Sequence, residues 1–142
     1  ARQLRAKTVL VTCNPRANTS AALRIVLETG PEVLTGSTRL KAGTATKLVL
    51  NMLTLGAMVQ LGKTHGNLMV DVRPTSRKLR ARATTVIRLI ARCDARTAAR
   101  ALRTARGETK TAALMAVRGL TLHAARRRLA DANGSLHRAL EA

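Results

Sequence analysis

At 142 residues the chain is long enough for one domain, or for a small domain beside half of another. Apolar residues make up 46% of it, yet Phe, Tyr and Trp are absent. That excludes an aromatic core and aromatic stacking platforms for single-stranded nucleic acid, and it implies a modest core of small side chains supported by a partner chain. Lys and Arg number 26 against 7 Asp and Glu, a formal charge of +19, divided as +9 over residues 1–78 and +10 over 79–142. Such a balance attracts nucleic acid, anionic membranes or phosphorylated ligands, although an Arg-rich bias also follows from genome composition.

In chain order, residues 1–6 read as the tail of a helix, and Thr8–Thr12 as a short buried strand ending at Cys13-Asn14-Pro15. Leu23–Leu27 reads as a second strand, closed by Gly30-Pro31. Ser37 is a suitable N-cap for a helix from about Thr38 to Leu61, whose apolar residues cover most of its circumference and predict burial on more than one side. Its most apolar run, Leu48–Leu61, is broken by Asn51, Thr54 and Gln60 and reads as too short to span a bilayer. Gly62 stops it, and His65–Val72 reads as an extended or turn segment ended by Arg73-Pro74.

Five helices are then expected. The first is capped by Thr75 or Ser76 and runs to about Arg92; Asp94 caps the next over 95–106, and Gly107 ends it. Residues 108–118 form another, stopped by Gly119; Thr121 caps 122–132, which Asn133-Gly134 closes; Ser135 opens the last. Cys13 and Cys93 have no metal-like spacing and read as free thiols in a reducing compartment. With no signal peptide evident, the expectation is a soluble cytoplasmic protein.

The segment richest in chemistry runs from Gly30 to Lys47, GPEVLTGSTRLKAGTATK. It joins a turn, the lone acid Glu32, a hydroxyl-bearing glycine loop and the start of the long helix. Gly36 permits close backbone approach, Ser37 and Thr38 offer hydroxyls and amides near a helix N-terminus, and Arg39 and Lys41 are cations at the end where a helix favours anions. Those cations call for a negative partner: a phosphate, a ligand carboxylate, or Glu32 itself in a simple ion pair with Lys41.

This pattern resembles the signature of the N-acetylmuramic acid 6-phosphate etherases and the related glucokinase regulatory proteins. The likeness continues through Lys47–Leu53, Leu61-Gly62-Lys63 and Gly66–Val72, and includes Cys13-Asn14-Pro15. It is strong over 30–80 and weaker beyond 94. The resemblance implies an α/β fold. Residues 1–78 would be the C-terminal portion of a sugar isomerase (SIS) domain, a parallel-sheet sandwich, and residues 79–142 a small all-α module like a ubiquitin-associated domain. It also implies a carbon–oxygen lyase that releases D-lactate and N-acetylglucosamine 6-phosphate in cell-wall sugar recycling, with no cofactor or metal. The family's Ser/Thr-rich phosphate loop and main catalytic glutamates would precede residue 1, so a partial chain is expected.

By that resemblance Glu32, Ser37, Thr38 and Lys41 are the substrate-binding candidates, Glu32 serving in sugar contact or support and, as a lesser reading, in catalysis. Family members usually carry an aromatic where His65 stands; His65, His123 and His137 read as packing or surface residues. The expected partners are a sugar phosphate and a second copy of the chain, with no membrane. Two other functions compete: a non-catalytic phosphosugar sensor, and nucleic-acid binding by the basic tail including Arg126-Arg127-Arg128, for which charge alone suffices nonspecifically.

Overall fold

The computed structural model describes residues 2–17 and 19–141. The chain divides into two compact units, one ending at Leu55 and the other starting at Gly56. Among the described residues there are six α-helices and two small sheets, a mixed α/β content as expected.

In the first unit a 3-10 turn at Arg2–Leu4 precedes β1 (Val9–Thr12), which pairs in parallel with β2 (Leu23–Val26). The register runs from Val9 opposite Leu23 to Thr12 opposite Val26. The amides of Leu23 and Leu27 extend the ladder onto the Thr8 and Thr12 carbonyls at 3.2 and 2.8 Å. Both strands stand where the sequence places them and pair in the parallel sense the resemblance implies, but the first is not buried as expected: Val9 is 48% exposed, and Leu23 opposite it 55%. A two-stranded sheet has an edge on each side and needs a cover for each face.

Helix α1 spans Lys41–Gln60. It starts three residues later than the sequence suggests, because residues 38–40 form a turn rather than helix. The expected burial is overturned. No residue of α1 is buried, and Leu48, Leu50, Met52, Leu53, Leu55 and Val59 lie open. Periodicity reports where apolar residues fall around a helix, not what covers them. The run Leu48–Leu61 is part of a longer helix: α1 is 20 residues, and over 18 of them its mean hydropathy is 1.2, long and apolar enough by length and composition to cross a membrane.

In the second unit α1 ends in a left-handed turn. Gly62 has φ +64°, and the Lys63 amide reaches back to the Met58 carbonyl at 3.0 Å. A Cβ at Gly62 would stand 3.0 Å from the Ser135 backbone, so both the turn and the close approach require glycine. A hairpin follows, β3 (Thr64–His65) against β4 (Leu68–Met69), where only an extended or turn segment was foreseen.

Helices α2 (Arg77–Ala91), α3 (Ala95–Thr104), α4 (Thr109–Arg118), α5 (Leu122–Asp131) and α6 (Leu136–Glu141) complete the unit. The N-caps of α2, α3 and α5 are among those read from sequence, while α4, expected from residue 108, starts at Thr109 with Glu108 before it. Ser76 Oγ accepts the Leu79 amide at 3.2 Å, Asp94 Oδ1 the Thr97 amide at 2.7 Å, and Thr121 Oγ1 the Ala124 amide at 3.3 Å. Helix α4 packs against each of the other four and buries Ala112, Ala113 and Leu114. The core adds Val70, Ile87, Leu102, Leu129 and Leu136 around it. The buried hydroxyls are satisfied: Thr109 donates to the Val72 carbonyl at 2.7 Å and Thr111 to Glu108 at 2.8 Å.

Candidate functional site

The signature loop is organised by Glu32. Its Oε2 accepts the Lys41 amide at 2.9 Å and its Oε1 the Ala42 amide at 3.0 Å. Both belong to the first turn of α1, whose N–H groups have no partner within the helix. A carboxylate nine residues upstream therefore caps α1 with both oxygens, in the position where the helix favours an anion. Hydrogen bonds from the Ala42 and Lys41 amides, then the Lys41 charge, hold its carboxyl below the ordinary glutamate range.

Lys41 does not form the simple ion pair with Glu32. Its Nζ donates to the Pro31 carbonyl at 2.9 Å, folding the side chain back over the turn that presents Glu32. Ser37 is not the N-cap. Its amide donates to the Leu34 carbonyl at 3.0 Å and its carbonyl accepts from Leu40 at 3.2 Å. The Thr38 amide donates to the Gly36 carbonyl at 3.0 Å, and the Thr38 carbonyl accepts the Gly43 amide at 2.8 Å. The Ser37 and Thr38 amides are thus spent inside the loop rather than aimed at a ligand.

The Ser37 and Thr38 hydroxyls remain: among the described residues, no protein group bonds either. Gly36, at φ +82°, has open space where a Cβ would stand, so the loop backbone is accessible beside them. The structure brings Glu32 and Lys41 together at the head of α1, with Ser37 and Thr38 in the loop leading into it. Chemically this is a fixed cation and two free hydroxyls. Glu32 is a poor base here, because both oxygens are engaged and its proton affinity is lowered. Sequence reasoning missed the cap itself and the Pro31 carbonyl as the Lys41 acceptor. Capping signals are read within three or four residues of a helix start, and nine lies outside that window.

Several of the other residues singled out from sequence make structural contacts. The His65 ring lies 5.9 Å from that of His137, inclined at 50°, and its Nδ1 is buried without a hydrogen-bond partner. His137 pairs with Glu141 at 3.2 Å on α6, and His123 is exposed. Arg126 grips Glu108 through two bonds of 2.6 and 3.1 Å, and Arg128 donates to the Ala139 carbonyl at 2.8 Å. Among the described residues Arg127 of the triple-arginine run has no such partner and is exposed. Among the described residues Cys13 and Cys93 are free thiols, and no group of three or more His, Cys, Asp and Glu side chains is placed to hold a metal ion.

No protein-family model matches the chain. Curated relatives do. It is 48% identical over 143 residues to the N-acetylmuramic acid 6-phosphate etherase of Cutibacterium acnes, a match covering 99% of this chain and 47% of the relative. It is 46% identical over 142 residues to the etherase of Mesorhizobium japonicum, covering 99% and 46%. It is 48% identical over 142 residues to that of an Exiguobacterium species, covering 99% and 48%. The chain spans about half the length of the curated relatives it matches. Over the part it spans, the chain belongs to the N-acetylmuramic acid 6-phosphate etherase family.

Proposed function

We propose that this chain is part of an N-acetylmuramic acid 6-phosphate etherase acting in cytoplasmic cell-wall sugar recycling. The observation that carries the proposal is identity of 44–48% to proteins of that name over nearly the whole chain, signature loop included. In the proposed reaction a base removes the C2 proton of the open-chain sugar and an acid assists departure of lactate from C3. Water then adds to the unsaturated aldehyde, giving D-lactate and N-acetylglucosamine 6-phosphate. Ser37 and Thr38 would contact the sugar phosphate through their free hydroxyls and Lys41 through its charge. Glu32 would hold the head of α1 in place, leaving the proton transfers to groups elsewhere in a complete enzyme.

We assign residues 1–78 to a sugar isomerase domain and 79–142 to a helical module like a ubiquitin-associated domain. The parallel β1–β2 pair with α1 supports the first, and the α2–α6 cluster the second. The open leucines of α1 suit burial against further chain or a second copy in a homodimer.

The test is a chimera: the Cutibacterium acnes etherase with its matching segment replaced by this chain. D-lactate release from N-acetylmuramic acid 6-phosphate, reduced by Lys41→Ala and by the Ser37→Ala/Thr38→Ala pair, is the expected result. A folded chimera that releases none would overturn the assignment. The engagement of both Glu32 oxygens favours a second reading, a non-catalytic phosphosugar-binding protein. That reading predicts sugar-phosphate binding without lactate release.

A further inference from the structure

The second unit holds a cleft of about 870 Å³, far from anything the signature loop explains in sequence. It is bounded by the segment leading into α2, the end of α3 and the start of α4. Its size is in the range of a small-molecule site, and Val72, Pro74 and Leu102 give it an apolar floor. Its two acids are neutralised from within the fold. Asp71 is held by Lys63 at 3.2 Å and Lys110 at 3.6 Å, while Glu108 is held by Arg126 and Thr111. Hydrogen bonds from Arg126, the largest cause, keep the Glu108 carboxyl below its ordinary range.

Four further arginines line the same cleft: Arg73, Arg80, Arg103 and Arg106. All are exposed, and among the described residues none has a carboxylate or carbonyl bonded to its guanidinium. Elsewhere in the unit Arg118, Arg126 and Arg128 are bonded to protein groups, while other exposed arginines such as Arg96 and Arg100 are not, so the cleft is set apart by gathering four around one cavity rather than by their being unbonded. A cleft whose own acids are already paired, and which still gathers Arg73, Arg80 and Arg103 beside Arg106, whose charge also acts on Glu108, carries an excess of positive charge. Guanidinium presents a planar fork that matches phosphate oxygens in pairs, and several forks around one cavity select a multiply charged group over a single one.

We propose that this cleft binds a small molecule carrying two or more phosphate groups. This lies beyond the etherase reading and does not rest on it, since no residue of the loop 30–47 takes part. Net charge alone would produce weak anion binding anywhere on the surface, so the test must separate the cleft from the background.

Inorganic pyrophosphate, titrated into the 142-residue chain by calorimetry at fixed ionic strength, is the probe. Saturable binding, tighter than for orthophosphate, is expected. The pair Arg80→Gln/Arg103→Gln should weaken it by about tenfold or more, and Arg73→Gln alone by a smaller factor in the same direction. The pair Arg96→Gln/Arg100→Gln removes the same charge outside the cleft and should change it by less than about twofold. All five side chains are exposed, so helical circular dichroism should be unchanged throughout. Equal weakening by both pairs, no preference over orthophosphate, or no saturable binding by the intact chain would each overturn the proposal.

Discussion

The two units solve the burial problem in opposite ways. The helical unit encloses every buried hydrophobic residue of the described chain, from Val70 to Ala139. The signature unit encloses none: its strands are half-open, and the part of α1 within it displays Leu48, Leu50, Met52, Leu53 and Leu55. Composition does not separate them, since both are rich in Ala and Leu and both lack aromatics. Arrangement does. Five short helices around α4 cover one another, whereas two strands and one helix leave faces that only further protein can cover. Apolar content predicts a need for burial, and the number of packed elements decides whether it is met within the chain.

The largest expected effect breaks this contrast if it fails. Leu114→Ala, at the fully buried centre of α4, should cost about 2–5 kcal/mol in urea unfolding of the helical unit. Ser76→Ala removes the α2 cap and should cost about 1 kcal/mol by the same measurement. Leu50→Ala, on the open face of α1, should stay within about 0.5 kcal/mol in dilute protein. A loss as large as that of Leu114→Ala would mean that α1 is already covered in solution.

These contrasts also show what the sequence made legible. The caps Ser76, Asp94 and Thr121 and the stops at Gly107, Gly119 and Asn133-Gly134 were readable because each signal lies within a few residues of the helix end it governs. The two strands were readable from their short apolar runs, and their parallel sense only through the family resemblance. The cap on α1 was not: Ser37 is the better local candidate, and Glu32 wins by a long-range contact that depends on how Gly30-Pro31 turns the chain. The burial of α1 was misread for the same reason, since no local pattern states which surface lies against a helix. Of the candidate site, all four residues do lie in or beside the loop at the head of α1, but their roles divide. Lys41 and Glu32 are structurally engaged, and the Ser37 and Thr38 hydroxyls are free.

The smallest effect sharpens the site. The Glu32 carboxyl is held below the ordinary glutamate range by the Ala42 and Lys41 amides, so its contribution to the α1 head is complete above that range. It is lost as pH falls through the lowered folded value. The Lys41 and Ala42 amide resonances should therefore shift with a midpoint below that of a free glutamate, and Glu32→Gln should flatten the titration. A midpoint at or above the ordinary value would remove Glu32 from the cap.

The most direct measurement is residue-resolved native-state hydrogen exchange on the isolated 142-residue chain. Strong, cooperative protection across α2–α5 is expected, with exchange faster by orders of magnitude in β1, β2 and the part of α1 before Gly56. Uniform protection through both units would contradict a signature unit that lacks a core of its own.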